Sequence, residues 1–201
     1  GIRKSRITIE NYRHIEYFQC KFTSIFNCKA PMILIHHSKN IHVKFCLFNN
    51  IRGFLLRSLY CYNTYLSHTV VKNVQTFYSE TNKAQYLFKF LSIINILIQD
   101  SSFLHTDGSS VIKIGQISCI ERSAFKLIVF NATFVNNTSL TVGGSLQVLN
   151  ITSVYIIECR FIFNKAKAGG SVSVANVIYF SIKNSIFSKN LGNTAGGAIY
   201  V

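Results

Sequence analysis

Carboxylates are scarce in this chain: seven Asp and Glu stand against 21 Lys and Arg in 201 residues, a formal net charge of +14. Cleaving a polysaccharide needs two or three carboxylates converging on one face, and so does holding calcium. Only Asp100 and Glu158 share a repeat phase, with Asn131 between them, which sets them roughly 10 Å apart at strand spacing. With Lys183 nearby they could line a sugar groove, but polar ladders on an outer face are the commoner source of such a pattern. The expectation is that the chain is not an enzyme.

Other absences narrow the field further. Proline occurs once, at Pro31, and no amphipathic stretch reaches helix length, which argues against helical architecture. The longest apolar run, from Phe90 to Ile98, is interrupted by Ser92 and Asn95 and is too short to cross a bilayer, so no membrane insertion is expected. No CxxC pair or Cys/His cluster has metal spacing, and His36 and His37 point to opposite faces of a strand, so neither metal nor cofactor is expected. Cations are scattered singly, without a run of about five or six, which places nucleic acid last among partners. The chain opens at Gly1 with no methionine and no signal-like apolar segment, so both ends read as cuts.

What is present is repetition. NATFVNN, ECRFIFN and NSIFSKN follow one another in residues 131–201, and each is followed by a glycine pair: Gly143 with Gly144, Gly169 with Gly170, Gly196 with Gly197. Phe134, Phe161 and Phe187 stand 27 and 26 residues apart, a period that marks a solenoid. Walking back, the same phase falls on Phe103, Phe77, Phe48 and Phe22, giving seven coils of 26–31 residues. Seven residues before each phenylalanine stand Ile15, Ile41, Val70, Ile96, Leu127, Val154 and Phe180. Five before it stand Tyr17, Val43, Lys72, Ile98, Val129, Ile156 and Ile182. Alternation of this kind is a strand with one buried face. Two before it come mostly small residues, Cys20, Cys46, Gln75, Ser101, Ala132, Cys159 and Ser185, and the change of parity requires a bend.

A second wall follows the glycines as LQVLN (146–150), VSVAN (172–176) and AIYV (198–201), with VIKI (111–114), YLFKFL (86–91) and MILI (32–35) as earlier counterparts. Short β-branched runs separated by Asn, Ser and Gly turns predict an all-β, right-handed parallel β-helix forming a single domain over 1–201. Its coils are degenerate in 1–130 and clear in 131–201. Stacked phenylalanines should fill one corner of the core. Asn137, Asn164 and Asn190 should serve where the chain turns, satisfying backbone groups and tolerating left-handed geometry. The glycine pairs should serve the next corner, and these corner residues are read as structural.

The tetrapeptides FVNN with GGSL, FIFN with GGSV and FSKN with GGAI resemble the FxxN and GGAI repeats of the chlamydial polymorphic outer membrane proteins, and similar repeats occur in large surface proteins of single-celled eukaryotes. The resemblance is specific in 131–201 and one of phase only in 1–130, where FxxN degrades to FTSI, FNNI, FYSE and FLHT. It implies a right-handed β-helix displayed outside the cell and acting in adhesion. The membrane-embedded barrel that the family carries after its repeats has no counterpart here.

Cys20 and Cys46 share a phase in adjacent coils, with Cα atoms about 4.8 Å apart, so they suit either a disulfide or two free stacked thiols. Asn131, Asn136, Asn137 and Asn150 all fit the N-x-[ST] rule for glycosylation; Asn131 sits at an outward phase and Asn137 competes as a corner residue. Eleven of the cations and five of the six histidines fall in residues 1–72, where a basic outer face could attract acidic glycans. Neither Ile7 and Ile9 nor Ala198 to Val201 looks like a cap, so the expected partners are further repeats of the same chain or copies stacked end to end. The reading is an extracellular structural or adhesion module, with a glycan-binding or glycan-cleaving β-helix as the alternative.

Overall fold

A computed structural model describes residues 7–28, 33–76, 86–115 and 125–201. The described residues contain 22 strands and no helix, and neighbouring strands pair in parallel throughout. The chain is a parallel β-helix. Its first wall runs from Ile7–Glu10 through Ile33–His36, Leu56–Leu59, Phe88–Leu91 and Ile112–Gly115. Its second wall runs from His14–Phe18 through Asn40–Lys44, Asn63–Ser67, Asn95–Gln99 and Lys126–Phe130. Two long strands, Leu146–Ile157 and Val172–Lys183, pass through both walls and join them into one 13-stranded sheet. The third wall is a separate seven-stranded sheet from Lys21–Cys28 to Ile186–Ser188, one strand per coil.

Corners between walls are made by residues with positive φ. The corner after the second wall uses Phe45 (φ 53°), His68 (49°), Asp100 (48°), Asn131 (45°) and Glu158 (55°) in successive coils. In four of these coils the residue that follows turns a small polar side chain back on the carbonyl two residues earlier; Ala132 is the exception. Cys46 Sγ reaches Lys44 O at 3.2 Å, Thr69 Oγ1 reaches Ser67 O at 3.0 Å, Ser101 Oγ reaches Gln99 O at 2.8 Å, and Cys159 Sγ reaches Ile157 O at 3.2 Å. Cysteine stands in for a hydroxyl in this column. Cys20, Cys46, Cys61 and Cys159 are free thiols in this structure. Burial pushes the Cys46 thiol up to about 11.

The register corrects one expectation. Phe77 lies outside the described residues, and the place opposite Phe48 and Phe103 belongs to Val71. Thr64 and Leu66 therefore take the inward positions assigned to Val70 and Lys72, and Thr69 takes the small column in place of Gln75. Leu56–Leu59 is the first-wall strand of this coil, and the spacing of the phenylalanines does not reveal it. The cause is coil length: the step from Asn40 to Asn63 is 23 residues and the next, to Asn95, is 32.

The phenylalanines stack as expected on either side of that coil. Phe103 lies on Phe134 at 4.8 Å, Phe134 on Phe161 at 4.7 Å and Phe161 on Phe187 at 4.7 Å, within 8° of parallel; Phe22 lies on Phe48 at 4.9 Å. Where Val71 interrupts the stack, Phe88 of the first wall enters edge-on, 5.8 Å from Phe48 and 6.2 Å from Phe103. Each fully buried ring contributes about 2–3 kcal/mol.

Beside the rings runs a ladder of buried amides. Asn137 Nδ2 donates to Phe103 O and to Asn164 Oδ1, and Asn164 Nδ2 donates to Phe134 O and to Asn190 Oδ1, each at 3.0–3.1 Å. Thr106 Oγ1 closes the upper end by donating to Asn137 Oδ1 at 2.9 Å. The left-handed geometry expected of these asparagines belongs to the residue before each, Asn136 (φ 54°), Phe163 (56°) and Lys189 (53°), so the asparagine side chain turns inward. At the following corner Gly143 has φ +63°, and a Cβ on Gly144 would press into the carbonyl of Gly170 in the next coil.

Two outcomes check this packing. Val71→Phe overfills the gap beside Phe88 and should cost about 1–3 kcal/mol, while Val71→Phe with Phe88→Val should recover most of it. Asn164→Ala orphans Phe134 O and the amides that Asn164 serves and should cost about 2–4 kcal/mol, with Asn164→Asp no better. Urea denaturation measures all four.

Candidate functional site

The second wall turns alternate side chains outward, and its corner column adds a row beside them. Across the first three coils rings meet on this face. His14 lies 4.8 Å from His42, and His42 lies 4.5 Å from Tyr65. In the corner column Phe45 stacks on His68 at 4.7 Å, and Phe18, at the end of its second-wall strand, meets Phe45 edge-on at 5.5 Å. His68 Nε2 then faces Asp100 Oδ2 at 3.6 Å in the next coil. An open trough of about 340 Å³ is lined by His42, Tyr65 and Leu97 along one row and by Phe45 and His68 along the other, with Lys44, Ser67 and Gln99 between them.

Phe45 is the unusual member. It is 49% exposed and adopts φ 53°, a conformation that costs a bulky residue on the order of 1–2 kcal/mol and that asparagine or glycine adopts more readily. Neither burial nor backbone preference explains a phenylalanine there. Tyr60 and Phe163 share the pattern at other corners; Tyr60 stacks on His37 at 5.3 Å, and Lys189 Nζ lies 5.0 Å over Phe163.

Charges around the trough are paired locally. Lys44 Nζ lies 3.9 Å from Glu16. Asp100 accepts from Gln99 Nε2 at 2.8 Å and from Asn131 Nδ2 at 2.7 Å, and these hydrogen bonds, helped by His68, hold its carboxyl below the usual range. Burial lowers the basicity of His42, and the neighbouring Lys44 and His14 act in the same direction.

The acids weighed from the sequence occupy the corner column as expected, with Asn131 between Asp100 and Glu158 and Lys183 beside Ile157 on the neighbouring strand. No group of three His, Cys, Asp or Glu that could hold a metal occurs among the described residues. Of the sequons, Asn131 and Asn136 are exposed, although the Asn136 amide meets His105 Nδ1 at 2.9 Å. Asn150 is half-buried and accepts from Asn176 Nδ2 at 2.9 Å. Asn137 is fully buried with its amide nitrogen committed to the ladder, so it is a corner residue and not a glycan carrier in the folded coil.

Composition counts the histidines of residues 1–72 without placing them. Aligning the third coil on Val71 instead of Phe77 sets His42 against Tyr65 and Phe45 in line with His68. That alignment is the signal that exposes the two rows.

The chain is similar to metabotropic glutamate receptor-like protein R of Dictyostelium discoideum, with 27% identity over 184 residues; the match takes in 89% of this chain and 11% of that protein's length. No family model matches the chain. No solved structure matches it significantly.

His42 sets a pH dependence. Its folded-state basicity lies below the reference value of 6.5, so on acidification the unfolded chain takes up the proton first and stability falls with pH. Between about pH 8 and about pH 5 the urea midpoint should decline, and His42→Tyr should shrink the decline. In the same column logic, Cys46→Ser keeps the bond to Lys44 O and should stay within about 1 kcal/mol of the native chain.

Proposed function

We propose that this chain is an extracellular, non-enzymatic β-helical module, of the polymorphic outer membrane protein repeat type, that adheres and assembles through its outer faces and its ends. The observation that carries the reading is the cluster of stacked rings on the outer side of the second wall, with His14, Phe18, Phe45 and His68 exposed and His42 and Tyr65 half-buried, where a β-helix core needs none. An exposed patch of this kind is the usual mark of a contact surface. Location at the cell surface is supported by the receptor-like name of the Dictyostelium relative. Acidic glycans are partners in keeping with the surplus of cations.

The last described coil has a face on which a further coil would fit. Gly144 and Gly170 each lie against the backbone of a following coil, whereas a methyl placed on Gly197 would meet nothing among the described residues nearer than Asn190 O at 3.8 Å. Phe187 and Ile199 are only partly buried, and Ile186 (52%) and Leu191 (50%) are exposed. A further coil, from the same polypeptide or from a second copy, would complete these half-contacts.

Two experiments test the reading. Incubation with a panel of polysaccharides should give no turnover; cleavage that vanished in Asp100→Asn would show an enzyme instead. Gly197→Ala should leave the stability of this chain within about 0.5 kcal/mol while abolishing end-to-end filaments seen by electron microscopy, and Gly144→Ala should destabilise the chain itself.

A further inference from the structure

We propose that the end of the last described coil is a docking site selective for one kind of partner: a β-helical coil that lays a phenylalanine on Phe187 and, three residues on, an asparagine on Asn190. This deepens the assembly reading and rests on it. The argument begins with the direction of the buried amide ladder. Asn137 donates its backbone N–H and its Nδ2 to Asn164 Oδ1, both at 3.0 Å, and Asn164 donates the same two groups to Asn190 Oδ1 at 2.9 and 3.1 Å. Each asparagine also sends Nδ2 back to the phenylalanine carbonyl of the coil before it: Asn137 to Phe103 O, Asn164 to Phe134 O and Asn190 to Phe161 O. An asparagine in this column therefore depends on an acceptor in the coil that follows, and each phenylalanine offers its carbonyl to that same coil.

At Asn190 the ladder is open. Among the described residues nothing accepts from the Asn190 backbone N–H, and no side-chain amide reaches Phe187 O. A coil that covered these groups with an apolar side chain would bury them unmet, whereas an asparagine would accept from Asn190 and donate to Phe187 O, as Asn164 and Asn190 do one coil earlier. The ring column sets a matching demand. Phe134 and Phe161 each carry a parallel ring on both faces, while Phe187 has Phe161 on one face and is only partly buried.

The chain's own first coil meets only half of these terms. The column of Asn190, Asn164 and Asn137 continues through Thr106, Val74 and Ile51 to Ile25. A second copy stacked head to tail would bring Phe22 to Phe187 but isoleucine to Asn190, and isoleucine has neither donor nor acceptor in its side chain. A junction between copies is thus the weaker one, and the open amide acts against it.

The test lengthens the chain. A second copy of residues 175–201 joined after Val201 continues the register as one more coil. Urea denaturation compares the native chain, the lengthened chain and a lengthened chain whose added coil carries isoleucine in place of the copied asparagine; hydroxyl-radical labelling reports whether Phe187 becomes covered. Isoleucine occupies this column in the native chain at Ile51, fully buried, so the comparison reads the junction with Asn190 and not the coil itself. The asparagine coil should raise the urea midpoint and protect Phe187, and the isoleucine coil should keep less than about half of that gain. An equal or larger gain with isoleucine overturns the selectivity and leaves the assembly reading in place. No gain and no protection from either coil overturns both.

Discussion

Parallel stacking sets like upon like. When each coil lies on the next at about 4.8 Å, every inward position must accept a near copy of itself as its closest neighbour. Few side chains meet that demand. Phenylalanine meets it by lying flat, as Phe103, Phe134, Phe161 and Phe187 do. Asparagine meets it because one amide is both donor and acceptor, so that Asn137, Asn164 and Asn190 hand a hydrogen bond from coil to coil while covering backbone carbonyls. Ser, Thr and Cys meet it by returning their bond to their own strand. Charges do not meet it, and charged groups of the described residues such as His68 and Asp100 follow one another at an outer corner.

The same constraint explains how far the sequence can be read. Residues 131–201 keep phenylalanine, asparagine and glycine in phase, so the walls and the phenylalanine column are legible there. The third coil is not, because it is short and uses Val71 where its neighbours use phenylalanine; Phe77 then offers a false match a few residues on. The compensation by Phe88 comes from the opposite wall and has no signature in local spacing. The reversal of roles between Asn136 and Asn137 is hidden as well, since both amides suit a turn and only burial separates them.

Outer faces obey a looser rule, and this is why the candidate site is the least legible part. Outward residues must tolerate their neighbours without being fixed by them, so a row such as Glu16, His42, Tyr65 and Leu97 has no pattern until the register is known. Once it is known, the departure from need becomes informative. Nothing in the fold calls for Phe45 at a left-handed corner or for rings in two adjacent lines, and those lines occupy the face where extended partners can lie along several coils. The core thus supplies a regular frame, and in the proposed reading the outer rows supply recognition.

The measurement that bears most directly on this account is side-chain footprinting of the chain by hydroxyl radicals, free and after incubation with cells under the proposed adhesive reading. Protection of Phe45, Tyr65 and His68 on attachment, with Phe163 and Tyr179 labelled equally in both states, is the expected result. Protection confined to Phe163, Tyr179 or other rings away from the second wall's first four coils would contradict it.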